Sequence, residues 1–249
     1  MRLIASLPWY DLPPARTGLD AFWQQLRSEL AGHSDLELPV QLDRNMPLAE
    51  LWACPGLVLS QCCGPDLFTP AARYLQPVAR PVFAHLDCEP GHYYSHIVTV
   101  HARLPARPRL VVNSPSSRSG CAALYEWLRR HHIEPDTVVI SGAHARSLEF
   151  LRTGQADLAA IDAHSWTLLN TRDIHIMDSS APALSPPFVM HVSAPLNPDM
   201  LAEALTSAVT HNGHAIGISG LCAAQRQDYQ RSGCNTGCNI GTAEVYWRA

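Results

Sequence analysis

The feature that most constrains this chain is an alternation. From Arg109 it runs through "RLVVNS", "SGCAALYEWLRRHH", "TVVIS", "ARSLEFLRTG", "ADLAAID" and "AHSWTLLN", so that each short apolar run is followed by apolar residues at helical spacing. Strands that alternate with helices fold as parallel strands with right-handed crossovers, and ligands then gather at the carboxyl ends of the strands. An earlier series repeats the logic: "RLIASL", "TGLDAFWQQLRSELAG", "LPVQLD", "PLAELWA" and "GLVLSQ" read as strand, helix, strand, helix and strand. "PVFAHL" reads as a further strand, and "YYSHIVTVHA" as one extended strand that leaves the first series. "IHIMDSS" and "FVMHVSA" are strands after the second series, followed by a helix around "NPDMLAEALTSAVTHNG" and a weakly patterned tail.

The expected fold is therefore α/β with two lobes, each a mostly parallel sheet flanked by helices, and a ligand cleft between them. Lobe 1 is expected to be discontinuous, residues 1–92 with 179–249, and lobe 2 to span 93–178. A length of 249 residues allows both lobes a buried core. The 20 prolines favour many short elements joined by turns over a helical bundle.

Charge narrows the function classes. A formal net charge of −4 gives no general basic field, which argues against nucleic acid as a partner. No run approaches the roughly 18 apolar residues of a membrane helix, so no membrane insertion is expected. The opening "MRLIASLPWYDLPPAR" has a short apolar stretch cut by Pro8 and lacks the longer core of a secretory signal. Taken as written, the chain is expected in the cytoplasm; if the sequence is a trimmed piece, it is expected in the periplasm.

Chemistry-bearing residues fall at the ends of the predicted strands. In "NSPSSRSGCAAL" a strand meets a helix start crowded with serines, where unpaired N–H groups and the helix dipole can hold an anion. Ser117 and Ser119 stand closest to that start, Gly120 allows close approach to the backbone, and Arg118 either adds charge or points to solvent. Ordinary helix capping by Ser117 or Ser119 explains the same residues. In "VVISGAHARSLEFL" His144 opens the next helix, as an oxyanion donor or as a plain capping residue. In "ADLAAID" the strand ends on Asp162, either an acceptor for a ligand hydroxyl or amine or the cap of the following helix.

The eight cysteines are expected to be mostly structural thiols. Cys234 and Cys238 are spaced C-x₃-C with no second pair at a recognised spacing, so no metal is assigned. Cys62 and Cys63 end a strand, and as a catalytic pair with a histidine they would need a base that sequence cannot place.

Taken together, "NSPSSRSGCAAL", "SGAHARSLEFLRTGQADLAAID" and "SSAPALSPPFVM" resemble the phosphate/phosphite/phosphonate-binding proteins of ABC importers, which have the type 2 periplasmic binding protein fold. The order and spacing agree over residues 109–190, and "ASLPWYD", "LVLSQCCG" and "CEPGHYYS" extend the likeness to shorter members of that family. The resemblance implies two α/β lobes closing over a ligand, with the anion-binding turn at Ser117, Arg118, Ser119 and Gly120, a histidine at His144 and an acid at Asp162. It adds Tyr10, Ser60 and Gln61 from the first lobe and Tyr93 from the crossing segment. The implied function is a solute-binding protein for phosphate, a phosphonate or a similar small oxyanion, in transport or sensing, with an ABC permease or a sensor protein as partner. No cofactor and no catalytic residue is assigned. The alternative is a cytosolic enzyme on the same fold, of the lyase or biosynthetic type, since chorismate dehydratase and the thiamin-pyrimidine synthases use this architecture.

Overall fold

A computed structural model describes residues 1–32 and 36–230 and divides the chain into two compact units. The first begins with β1 (Ile4–Ala5), α1 (Arg16–Ala31), α2 (Leu48–Ala53), β2 (Leu57–Gln61) and β3 (Leu75–Phe83). The chain passes to the second unit through β4 (His92–Tyr93). That unit holds β5 (Ser95–Thr99), β6 (Leu110–Val112), α3 (Ala123–Arg130), β7 (Val138–Ile140), α4 (His144–Arg152), β8 (Leu158–Asp162), α5 (Ala163–Leu168) and β9 (His175–Ser179). The return runs through β10 (Ala183–Leu184), and β11 (Phe188–His191), α6 (Pro198–Asn212) and β12 (Ile218–Ala223) complete the first unit.

In the first unit the sheet order is β1-β2-β11-β3-β12. α1 buries Leu19, Phe22, Trp23, Leu26 and Leu30, one stripe at helical spacing, and packs on α6. α6 starts where Asn197 Oδ1 accepts the N–H groups of Asp199 (2.8 Å) and Met200 (3.4 Å), with Pro198 at its first turn. Residues 38–43 do not form the expected strand. Their apolar Leu38 and Leu42 are buried, but Pro39 cannot donate to a ladder, and the segment is held as a loop by Trp23 Nε1 to Pro39 O (3.1 Å) and Ser6 Oγ to Asp43 O (2.7 Å).

In the second unit the order is β7-β6-β8-β5-β9. Side chains alternate across it: Leu110, Val112, Leu158 and Ala160 pack with Leu124 and Trp127 of α3 on one face. Val111, Ala159 and Ile161 pack with Leu148 and Leu151 of α4 on the other. A sheet covered on both faces explains why its strands read as unbroken apolar runs, and each fully buried leucine or valine contributes roughly 1.5–3 kcal/mol.

Both sheets are mixed where alternation alone predicts mostly parallel ones. β7, β6 and β8 are parallel, but β5 runs antiparallel to both β8 and β9. In the first unit β11 and β12 pair antiparallel with β3. β5 enters its sheet directly from the first crossing and β11 directly from the second, with no helix before either, so neither is set parallel by a strand–helix–strand crossover. β9 pairs with β5 through Ser179, so the second crossing comes at Ala183–Leu184, later than the 178/179 boundary read from the sequence. Among the described residues no helix is long and apolar enough to cross a membrane.

Candidate functional site

Three adjacent parallel strands of the second unit, β7, β6 and β8, end in turns that open helices or helical turns. After β6 the chain passes Asn113 and reaches Ser117, whose backbone is extended and whose Oγ accepts the Gly120 N–H at 2.9 Å. Residues Arg118–Ala122 form a π-helical turn leading into α3, with the N–H groups of Cys121 (3.2 Å) and Ala122 (3.0 Å) both directed to Ser117 O. Such π-turns occur often at functional sites. The N–H groups of Arg118 and Ser119 open this turn, where position leaves them no intrahelical acceptor.

After β7, Gly142 adopts φ +87, a left-handed conformation that favours glycine, and its N–H donates to Asn113 O at 2.9 Å. This ties the two turns together and sets His144 as the first residue of α4. His144 Nε2 then meets Ser119 Oγ at 3.0 Å. The imidazole is half-buried, burial pushes its pKa down from 6.5 to about 4, and Nδ1 is enclosed without a hydrogen-bond partner among the described residues. At neutral pH the ring is uncharged, so one nitrogen donates and the other accepts.

Gly120 is there because nothing larger fits. A Cβ at that position would lie 1.8 Å from Asn113 Oδ1 and 3.3 Å from His144 Cε1. Asn113 Oδ1 is itself buried and unpaired. Asn113 was not among the predicted ligand residues; its signal is an asparagine at a strand end, which sequence reads as ordinary turn chemistry. Ser141 was also missed: it is buried and bonds Ser147 Oγ at 2.8 Å, fixing the start of α4 from beneath.

Asp162 ends β8 and caps α5, accepting the Ser165 N–H at 2.8 Å. Arg118 does not point to solvent: its Nη2 donates to Glu126 Oε2 at 2.8 Å, its side chain is 9% exposed, and its Nη1 is buried without a partner among the described residues. Tyr93 is buried and shares with Arg118 and Ser119 the lining of a narrow recess in the second unit. The structure thus brings Ser117, Arg118, Ser119, Gly120 and His144 together, with Asp162 on the neighbouring strand.

The remaining predicted residues belong to the first unit. Tyr10 is buried with its ring edge-on to Phe83, centroids 5.6 Å apart. Ser60 and Gln61 end β2, both buried, and Gln61 Oε1 has no hydrogen-bond partner. Burial, with Asp66 and Cys63 adding to it, raises the Cys62 thiol well above its usual range, which leaves little thiolate at neutral pH. Cys234 and Cys238 lie outside the described residues, and among the described residues no cluster of histidine, cysteine and carboxylate is suited to a metal.

Residues 96–229 match the model of a family described as the periplasmic phosphonate substrate-binding protein of ABC transporters. No curated protein matches the sequence. PhnD1 of Prochlorococcus marinus, solved in complex with methylphosphonate, is 14% identical with a TM-score of 0.65, over 92% of this chain and 94% of that one. A binding-protein component of an ABC phosphonate transporter from Pseudomonas aeruginosa is 11% identical with a TM-score of 0.63, over 92% and 84%. A Xanthomonas citri protein bound to ATP is 12% identical with a TM-score of 0.58, over 92% and 97%. At these identities the likeness establishes a shared fold.

Proposed function

We propose that this chain, which belongs to the family of periplasmic phosphonate substrate-binding proteins of ABC transporters, holds a small tetrahedral oxyanion of the phosphonate type at the strand-end edge of its second unit. Solute binding is the function of that family; the ligand seat and the residues that form it are our reading. The observation that carries it is the Ser117–Gly120 turn held against His144, because donors remain there after the fold has used what it needs. Ser117 Oγ accepts from Gly120 and keeps its own proton to donate. The Arg118 and Ser119 N–H groups stand in the first positions of the turn, and His144 fixes the Ser119 hydroxyl. Neutral, preorganised donors of this kind bind an oxyanion without a covalent step.

In this reading the Asp162 carboxylate, which also caps α5, accepts from a hydroxyl or amine on the ligand's substituent. Tyr93 flanks the turn. An ABC permease as partner and a periplasmic location are the finer parts of the same proposal.

The arrangement supports binding over catalysis. Ser119 and His144 are within reach of each other, yet a histidine with a pKa of about 4 is a weak base, and Nδ1 lacks the third group that would orient it. The test is a thermal-shift panel on protein stripped of copurified ligand, with methylphosphonate, phosphite, phosphate and sulfate, backed by native mass spectrometry. Stabilisation by the phosphorus oxyanions supports the reading; no shift with any of them refutes it.

A further inference from the structure

Arg118 is the charged member of the turn, and its geometry is not that of a surface arginine. A guanidinium is a fork whose arms can serve two acceptors. One arm is fixed, Nη2 on Glu126 Oε2 at 2.8 Å; the other, Nη1, is buried with no partner among the described residues, on a side chain that is 9% exposed. A buried donor of this strength left unmatched requires an explanation. Glu126 cannot cancel the charge fully, since its own side chain is 36% exposed and screened by water.

Among the described residues no acceptor bonds Nη1. Arg118 lines the narrow recess with Tyr93, Ser95, Ser119, Ala123 and Ser180, among others, and no lining residue is an acid. Ser95 and Ser180 satisfy each other, Ser95 N–H to Ser180 Oγ at 3.0 Å and Ser180 N–H to Ser95 O at 2.8 Å. The donors beside it at Ser117, Ser119 and His144 are all uncharged, so Arg118 supplies the formal positive charge of the turn.

We infer that Arg118 Nη1 is a specificity-determining contact that makes the site select a doubly ionised tetrahedral oxyanion over a singly ionised one of the same shape. The inference rests on the oxyanion reading above and adds the charge state of the ligand. A second negative charge gains from a nearby cation held away from water, whereas neutral donors serve mono- and dianions more evenly.

The experiment titrates the full chain calorimetrically at pH 8.5 with methylphosphonate and with methanesulfonate, its singly ionised isostere. The wild-type chain prefers methylphosphonate; Arg118→Met reduces that preference at least about 10-fold, mostly by weakening methylphosphonate, as expected for loss of one charge-assisted hydrogen bond. Arg118→Lys keeps part of the preference, and Glu126→Gln, which releases the held arm, strengthens it. If Arg118→Met fails to fold, the Lys and Gln variants decide by the same ratio. A ratio unchanged in the variants overturns this inference alone; a wild-type chain that binds neither anion overturns the oxyanion reading beneath it.

Discussion

Ser119 Oγ and His144 Nε2 stand 3.0 Å apart, a hydrogen bond that joins the turn after β6 to the first residue of α4. It fixes the serine hydroxyl in place before any ligand arrives, at the cost of enclosing Nδ1 of a half-buried imidazole with no partner among the described residues. Ser119→Ala removes the hydroxyl and frees the ring. Methylphosphonate affinity is expected to fall about 10-fold or more, the effect of one hydrogen bond to a charged group. Calorimetric titration reads it directly, and an unchanged dissociation constant would remove Ser119 from the site.

The same histidine makes stability depend on pH. Its pKa is about 4 in the folded chain against 6.5 as the ordinary value, so between those limits the unfolded chain binds a proton that the folded one refuses. The contribution is fully present above about pH 6.5 and is lost as the pH falls through 4. Urea unfolding at pH 7 and pH 5 is expected to show a smaller loss for His144→Gln than for the wild type; equal losses would contradict a buried, neutral His144.

Gly120 admits no side chain. Gly120→Ala places a methyl group 1.8 Å from Asn113 Oδ1, so the asparagine or the π-turn must move. Overpacking of this kind costs about 1–3 kcal/mol, and the displaced turn also loses its ligand geometry. Thermal unfolding should show a clearly lower midpoint, together with weaker oxyanion binding.

Asp162 caps α5, accepting the Ser165 N–H at 2.8 Å. Asparagine caps nearly as well, while alanine costs about 1 kcal/mol, so Asp162→Asn should unfold near the wild-type temperature and Asp162→Ala below it. If the carboxylate also accepts from the ligand's substituent, Asp162→Asn weakens hydroxymethylphosphonate more than methylphosphonate. Equal weakening would confine Asp162 to capping.

Much of the second unit is legible in the sequence because physics leaves few alternatives there. Val111 and Val112, or Leu158 to Ile161, are buried on both faces and read as apolar runs, and the strand–helix rhythm places Ser117, His144 and Asp162 at strand ends. The first unit is harder. β3 carries Pro77 and Pro81, opposite Val189 and Leu221, so its first half does not read as a strand. β12 carries Ser219 and Gly220 just after its first residue, which breaks the apolar pattern and leaves the strand lost in the weakly patterned tail. Residues 38–43 show the opposite error, a strand-like pattern that Pro39 and the Trp23 contact hold as a loop.

Within the site, the missed relationships are those set by tertiary approach. Arg118 meets Glu126 eight residues away, beyond the three- and four-residue spacings that helix rules anticipate, because a π-turn lies between them. Asn113 matters through its closeness to Gly120, which only the fold reveals.

The most direct measurement is a calorimetric titration of methylphosphonate into ligand-stripped wild-type chain and into the Ser117→Ala, Ser119→Ala double variant, with circular dichroism confirming that the variant is folded. The account predicts one-to-one binding by the wild type and a loss of about 100-fold or more in the variant, two hydrogen bonds to a charged ligand having been removed. No binding by the wild type, or equal binding by both, would contradict it.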